Sequence, residues 1–268
     1  MFEPVFMRLA LAAAVAAGVS LGLMGVYLAI RRVVFIGLVF ANAAAMGSAL
    51  AQVFGWPPEL ASVVLVAASA LALGTVRSPR RVSGESVMGW AYAAASSATV
   101  LILAQAAAAD ADTLHLLFGN LLAISVGHTV SLVLVAAAII VVHLLFSHRF
   151  LLVTFDSEAA SVAGVSTTFW SLVLNLAIGA AAAMSVHEIG ALLTFGLLTL
   201  PAMGALLATS SIRATFALAA GLGAVLPCLG LAASFYFDLP AGPASVALLA
   251  LSVPAVVAAR RPSRRVQS

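Results

Sequence analysis

The sequence has little charge and contains no lysine. Only 8% of its 268 residues are charged, its twelve basic side chains are all arginine, and 64% of its residues are hydrophobic. A mean hydropathy of +1.19 lies far outside the range of soluble domains. The single cysteine, Cys228, excludes an intrachain disulfide. Because the arginines lie between apolar segments and not in a soluble domain, the basic pI does not indicate nucleic-acid binding.

Two enzyme motifs are also missing. No G-x-x-x-x-G-K-[ST] phosphate loop occurs, so any ATP that powers this chain must bind to a partner subunit. The stretch HEIGA resembles the start of the zinc-protease motif H-E-x-x-H, but Ala191 stands where the second histidine is required. We therefore expect a chain that is not an enzyme and that binds no cofactor of its own.

Long apolar segments are what the sequence does contain. Many of them approach about 18–20 residues, the helix length that crosses roughly 30 Å of hydrocarbon. The sequence predicts an all-α, polytopic transmembrane helical bundle with about 8–9 spans, in a single domain over residues 1–268. Breakers and polar clusters separate nine candidate helices, at residues 7–30, 34–54, 58–76, 85–109, 129–147, 167–186, 188–208, 212–236 and 241–259.

The arginines predict how these helices are oriented. When the nine helices alternate in direction, eleven of the twelve arginines fall on one side and only Arg8 falls on the other. Arginine concentrates in cytoplasmic loops, so the N-terminus is predicted outside and the C-terminus in the cytoplasm. Segment 154–166, TFDSEAASVAGVS, is then cytoplasmic. The opposite side holds the acids Glu3, Glu59, Asp110, Asp112, Glu188 and Asp238.

Several polar residues outside this loop have open roles. Residues 110–128 are predicted to form a short outer helix or a re-entrant segment, which is tolerated only where protein or water surrounds it. His115 and His128 flank this segment, where they could face an arriving binding protein or simply be solvated. His143 and His148 are predicted to pack at the inner end of the fifth span. Asp238 is predicted to cap or turn the chain before the last span.

Five segments, in order along nearly the whole chain, resemble one family of membrane proteins. These are RRVVFIG (31–37), LFGNLLAIS (117–125), FDSEAASVAGVS (155–166), VHEIGALLTFGLLTLPAMGALLA (186–208) and DLPAGPASVALLA (238–250). The third contains E-A-A-x-x-x-G and resembles the coupling loop of ABC importer permeases. The chain is identified as a member of the permease family that imports zinc, manganese or iron.

The resemblance implies a homodimeric permease of the bacterial cytoplasmic (inner) membrane. Two copies of an ABC ATPase subunit would dock on the cytoplasmic loops, and a periplasmic or lipid-anchored substrate-binding protein would deliver a divalent metal to the outer face. The implied ATPase-coupling residues are Phe155, Asp156, Glu158, Ala159, Ala160 and Gly164. The implied translocation-pathway residues are Leu38, Asn42, Gly190 and Pro201.

The chain departs from this family at the second helix. The metal-importing members continue there as G-D-x-x-S-H-A, which puts a carboxylate and an imidazole on one helix face. Here Leu38 and Asn42 stand at those positions, and neither is a good metal ligand. Metal ligation could move to His187 and Glu188, although adjacent helical residues diverge by about 100°. The alternatives are a metal chelate, a non-metal small solute, or a secondary carrier that works without an ATPase.

Overall fold

The computed structural model describes residues 5–75, 83–105 and 124–260. These ranges contain nine α-helices and no β-strand, which confirms the all-α prediction for the described residues. In chain order the helices are α1 (Val5–Ile30), α2 (Phe35–Phe54), α3 (Pro58–Thr75), α4 (Gly84–Gln105), α5 (Val126–Phe155), α6 (Ser157–Val162), α7 (Thr167–Ala208), α8 (Ile212–Phe237) and α9 (Ala241–Arg260).

Most of these helices are long and apolar enough to cross a membrane. Seven qualify by length and composition, namely α1, α2, α4, α5, α7, α8 and α9, while α3 has a shorter apolar stretch, Pro58–Leu73. The predicted boundaries of α1, α2, α3, α8 and α9 agree with the structure to within two residues. The predicted end of the fourth helix, 106–109, lies outside the described residues, as does most of the predicted outer segment 110–128.

The predicted fifth span, 129–147, is too short. Helix α5 begins at Val126, after Ser125 accepts a hydrogen bond from the His128 N–H at 3.3 Å, and it continues to Phe155. Arginine does not end the helix, because the Arg149 guanidinium lies 4.8 Å from the ring centroid of Trp170. This cation–π contact lets a charged side chain remain in a helix whose other face is packed in the bundle.

The chain doubles back within α7. Ring contacts connect Trp170 to Phe150 (5.9 Å), Phe150 to Tyr27 (5.8 Å) and Tyr27 to Phe216 (5.0 Å). Trp170 lies in the first turn of α7, and Phe216 lies just beyond its end, in α8. A straight helix of this length would span about 63 Å and hold those two residues far apart. The reversal occurs at Gly190, whose φ of 82° and ψ of 161° are non-helical.

Helix α1 lies at the centre of the bundle, against α5, α7 and α8. Gly18 faces the backbone of Gly223, and a Cβ on Gly22 would meet the Ala219 carbonyl oxygen at 2.6 Å. Such close backbone contact requires residues without side chains at the crossing, as is common between membrane helices. The small residues of α1 therefore position α8 tightly against it.

The two ends of the bundle differ in charge. Arg31 donates from Nε to Thr154 Oγ1 at 3.2 Å, near the C-terminal end of α5, where Ile30, Phe155 and Ile212 line a common cavity. The other end of α5 lies about 45 Å away, since its 30 residues each rise about 1.5 Å. We call the first the arginine end, defined by Arg31, Arg149 and Arg213. We call the second the acid end, defined by Glu59, His128, His187 and Glu188.

Candidate functional site

At the arginine end, the short helix α6 begins with an aspartate cap. Asp156 is extended, with φ −149° and ψ 95°, and its Oδ1 accepts hydrogen bonds from the N–H groups of Glu158 (3.0 Å) and Ala159 (2.9 Å). These two N–H groups would otherwise lack partners in the first helical turn. Glu158, also in this turn, adds a favourable charge at the helix N-terminus. The residue before α6 and a residue in its first turn thus stabilise this six-residue helix.

Glycine ends α6. Gly164 has a φ of +75°, and its N–H bonds to the Ser161 carbonyl at 3.1 Å, while the Val165 N–H bonds to the Ala160 carbonyl at 2.9 Å. This pair of bonds is the Schellman motif, which favours glycine at the left-handed position. The predicted coupling segment 154–166 therefore consists of the end of α5, the capped helix α6, and a tight turn into α7.

One face of α6 packs and the other is exposed. Ala160 is fully buried in the core of the bundle, whereas Val162 is 89% exposed; Phe155, the last residue of α5, is 58% exposed. At the adjoining end of α1, burial lowers the pKa of the Arg31 guanidinium from its usual range. The coupling residues named from the sequence thus present an apolar and acidic surface beyond the bundle, attached to it through one small side chain.

The predicted pathway residues Leu38 and Asn42 share one cavity of about 210 Å³. The Asn42 side chain is buried and donates from Nδ2 to the Leu38 carbonyl oxygen at 3.0 Å. Helix α4 contributes Tyr92 and Ser96 to the lining, and the residues directly after Gly190 contribute Ala191, Leu192 and Phe195. The cavity lining contains no ionisable acid or histidine, so the departure seen in the sequence leaves a cavity of neutral residues.

The remaining two pathway residues have backbone roles. Gly190 forms the reversal in α7, and its carbonyl oxygen accepts a hydrogen bond from Thr194 Oγ1 at 2.8 Å. Pro201 is buried in the second half of α7, which follows the reversal at Gly190, and it does not line the cavity beside Asn42. Proline has no N–H to donate to the preceding turn, so it weakens the helix locally.

At the acid end, three helix ends bring ionisable side chains together. The Glu59 Oε1 atom, near the start of α3, lies 3.6 Å from His128 Nε2 and 3.8 Å from His187 Nε2. The two histidine rings are edge-on, with centroids 5.6 Å apart. One ligand atom from each of these three residues lies within 4.8 Å of the other two, a spacing that could hold a metal ion.

The side chains of the predicted pair His187 and Glu188 face different partners. His187 faces Glu59, whereas Glu188 is buried and its Oε1 lies 3.2 Å from Nδ1 of His128. The divergence of adjacent helical residues separates them, as expected. The sequence alone does not predict that Glu59 and His128 lie beside His187, although the charge pattern predicts Glu59 and Glu188 on the same side of the membrane.

The other histidines and Asp238 have different surroundings. His143 is buried within the bundle, and its Nδ1 lies 3.0 Å from the Tyr27 hydroxyl oxygen. His148 is exposed. Asp238 ends α8 in a left-handed conformation, with φ 51°, so it turns the chain before α9. His115 lies outside the described residues.

Comparison with known proteins gives a match along almost the whole chain. The model of the ABC 3 transport family matches residues 3–259. The chain belongs to the ABC 3 transport family. This confirms the family resemblance of the five sequence segments and makes the chain a multi-pass membrane permease.

Relatives of this ABC 3 protein include named metal transporters. It is 28% identical over 241 residues to the manganese transport system membrane protein MntC of Listeria monocytogenes, covering 90% of this chain and 86% of the relative. It is 28% identical over 246 residues to the chelated iron transport system membrane protein YfeD of Yersinia pestis, covering 92% and 82%.

A solved structure shares the fold of this ABC 3 protein. PsaBC from Streptococcus pneumoniae, determined in complex with a Fab, superposes with a TM-score of 0.86 at 22% identity. The superposition covers 95% of this chain and 91% of the other. The helix arrangement described above is therefore a fold that this ABC 3 protein shares with PsaBC.

Proposed function

We propose that this chain is the membrane-spanning permease subunit of an ABC importer. It moves a divalent transition metal or a metal chelate across the bacterial cytoplasmic membrane by alternating access, driven by ATP hydrolysis on a separate subunit. The observation that carries the proposal is helix α6, a locally capped helix that exposes Val162 and Glu158 at the arginine end. Membership of the ABC 3 family and the names of the relatives support metal or chelate as the cargo.

The orientation follows from the charges. If the two halves of α7 and the shorter helix α3 each cross the membrane, the described helices would make nine spans, which supports the proposal of an outside N-terminus and a cytoplasmic C-terminus. The arginine end then faces the cytoplasm, in agreement with the preference of arginine for that side. Helix α6 faces the ATPase, and the acid end faces the binding protein.

Helix α6 is proposed to couple the ATPase to the spans. The side chains proposed to contact or shape the docking surface are Phe155, Asp156, Glu158, Ala159, Ala160 and Gly164. Exposed apolar groups beside a short, rigid helix suit insertion into a groove on a partner protein, because little side-chain entropy is lost on docking. Two ATPase subunits would dock on a homodimer of this chain, one on each α6.

The pathway is proposed to run beside Leu38, Asn42 and Gly190. Pro201 is proposed to weaken the part of α7 that follows Gly190 along this pathway. Helix α4, which contributes Tyr92 and Ser96 to the cavity, is mostly exposed in the single chain, and its Trp90 is 71% exposed. We propose that a second copy packs against α4, so that the pathway lies at the dimer interface.

The neutral residues of the cavity beside Asn42 favour a chelated metal or a non-metal solute over a bare metal ion. A bare divalent ion loses its water shell at high cost unless charged or strongly polar ligands replace it. Leu38 and the Asn42 amide, already bonded to the Leu38 carbonyl, do not supply such ligands. A metal chelate or another small solute, which keeps its own ligands, suits this cavity better than a naked ion.

The docking role can be tested by co-purification. Val162→Asp adds a charge to an exposed site on α6, so we expect the permease to fold normally and to lose most of the ATPase subunit. The matched control is Val126→Asp, which alters an exposed valine at the opposite end of the bundle, 59% exposed. The amount of ATPase retained with each permease, measured after size-exclusion chromatography, distinguishes the two.

Transport in liposomes tests the energy source. The complex reconstituted with its binding protein should accumulate metal or chelate only when ATP is present with the ATPase. Accumulation by the permease alone, without ATP, would show that the chain is a secondary carrier.

In the co-purification test, equal ATPase retention by Val162→Asp and Val126→Asp would remove α6 from the docking surface.

A further inference from the structure

We infer that Glu59, His128 and His187 form a binding site for a divalent first-row transition metal of the zinc type, open to the outer face of the membrane. The site lies at the acid end and not at the α2 positions where the family motif has its acid and histidine. Its role in receiving cargo rests on the proposed function, whereas metal binding itself does not.

The spacing of the ligand atoms is close to what a metal requires. Bonds of about 2.1 Å in a tetrahedral zinc site put neighbouring ligand atoms roughly 3.4 Å apart. The Glu59 Oε1 atom is already 3.6 Å from one histidine Nε2 and 3.8 Å from the other. The ligand atoms of His128 and His187 lie within 4.8 Å of each other, so side-chain movements of about 1–2 Å would complete the three-ligand set.

A second carboxylate holds one of the ligands in place. Glu188 Oε1 lies 3.2 Å from His128 Nδ1, so the His128 ring donates its N–H to Glu188 and presents Nε2 to Glu59. A carboxylate behind a histidine fixes its tautomer and orientation, and it makes the ring a better metal ligand. Glu188 is thus a positioning residue, which explains why an acid is buried at this point.

The third proposed ligand, His187, faces the cluster through only one of its two ring nitrogens. Nδ1 of His187 is buried and makes no hydrogen bond among the described residues. The Nε2 atom faces Glu59 and the neighbouring histidine ring, so the side chain is directed at the cluster by its packing. Nε2, and not the buried Nδ1, is therefore the atom that would bind a metal ion.

Exposure changes from one side of the cluster to the other. The side chains of His128 and Glu59 are 47% and 34% exposed, that of His187 is 21% exposed, and that of Glu188 is 6% exposed. An ion can therefore arrive from solvent at one side, while the other side is supported by protein. Three protein ligands leave a fourth position for water or for a donor group of a delivery protein.

The ligand set indicates which ions fit. Imidazole suits zinc, copper, iron and nickel, whereas manganese and magnesium prefer oxygen ligands. Two imidazoles with one carboxylate is a known zinc ligand combination. We therefore expect Zn²⁺ and Co²⁺ to bind at least tenfold more tightly than Mn²⁺.

The position of the site relates it to the neutral cavity. Gly190 follows His187 by three residues, and the next residues, Ala191 and Leu192, line the cavity beside Asn42. An ion held by His187 is thus a few residues along α7 from a cavity that itself offers no charged ligand. The acid end supplies the ligands that Leu38 and Asn42 do not.

Metal binding to the full chain in complex with its ATPase tests this inference. Co²⁺ bound by two histidines and one glutamate in tetrahedral geometry should give visible absorption bands, which added Zn²⁺ should remove. We expect Glu59→Gln and His187→Ala each to weaken Zn²⁺ binding at least 100-fold by titration calorimetry. Glu188→Gln should weaken it about 10–100-fold while the Co²⁺ bands persist at saturation, as for a residue behind a ligand.

The matched controls are Glu85→Gln and His148→Ala, which change an exposed acid and an exposed histidine outside the cluster. Both should bind Zn²⁺ like the natural protein. The inference is overturned if the natural protein gives no Co²⁺ bands, or if Glu59→Gln and His187→Ala bind Zn²⁺ as tightly as the controls. Loss of the ATPase with Glu59-dependent Zn²⁺ binding retained would instead contradict the proposed function and leave the metal site in place.

Discussion

The arginine end and the acid end of this bundle are built in different ways. At the arginine end, α6 is held by the Asp156 cap, the Gly164 turn and the buried Ala160, all within nine consecutive residues. At the acid end, Glu59, His128 and His187 come from three helices that are far apart in sequence. One feature depends on local hydrogen bonding, and the other depends on the packing of the whole bundle.

This difference decides how each end responds to change. A local motif can be weakened while the rest of the fold remains, because its bonds are made within one segment. A cluster assembled from three helix ends moves whenever any of those helices shifts. Two tryptophans report on the ends separately, since Trp170 packs near α6 and Trp56 stacks on Phe54 near the start of α3.

Gly190→Ala should have the largest effect and should act on the acid end. The φ of 82° and ψ of 161° are adopted almost only by glycine, so a side chain there costs about 3 kcal/mol. Thermal unfolding in detergent, followed by tryptophan fluorescence, should show a lower midpoint. Zn²⁺ binding should weaken, because His187 and Glu188 directly precede the reversal.

Gly221→Ala is the control for this substitution. Gly221 lies inside α8 with no atom within 4 Å of an added Cβ, so alanine should leave stability unchanged or raise it by up to about 1 kcal/mol. Equal unfolding midpoints for the two variants would mean that the backbone at position 190 is not strained by a side chain.

Ala160→Leu should have the next largest effect and should act on the arginine end. Ala160 is fully buried, and three added heavy atoms would overpack the contact between α6 and the bundle, costing about 2 kcal/mol. Ala159→Leu, at an exposed neighbouring position, should cost much less. Fluorescence of a variant that retains only Trp170 should change, while that of a variant retaining only Trp56 should not. A change in both would show that the two ends are not independent.

Asp156→Ala should have the smallest of the three effects and should remain local. Loss of the N-cap leaves the Glu158 and Ala159 N–H groups without partners, which costs about 1 kcal/mol of local stability. Hydrogen exchange should accelerate at these two amides and stay unchanged in α7. Asp156→Asn, which keeps a capping oxygen, should exchange like the natural protein. Faster exchange throughout α7 in the alanine variant would mean that the cap stabilises more than α6.

Much of the fold is predictable because membrane helices have simple sequence signals. Long apolar segments and the breakers between them predict α1, α2, α3, α8 and α9 nearly to the residue. The end of α5 is not predicted, because Ser147, His148 and Arg149 have the composition of a loop. They are nevertheless helical, and Arg149 lies 4.8 Å from the ring centroid of Trp170, a residue on another helix that the local sequence does not reveal.

The two ends also differ in how much of each can be predicted from the sequence. Asp156 and Gly164 are visible in the sequence as a cap and a turn, because capping involves only near neighbours. Side-of-membrane assignment puts Glu59 and Glu188 on one face, but it does not say which helices are adjacent. Two glutamates and two histidines become one cluster only through the lateral packing of α3, α5 and α7.

The first half of α7, before the reversal at Gly190, is long and unbroken enough to carry movement along its length. It begins two residues after the α6 turn, at Thr167, and runs as unbroken helix to Ile189, a rod of about 34 Å. His187 and Glu188 lie at its far tip. A tilt at the base of this half-helix would be carried along its length, and a rotation of a few degrees there would displace the tip by an ångström or more. Under the proposed function, this half of α7 would act as a rigid lever between the two faces of the membrane.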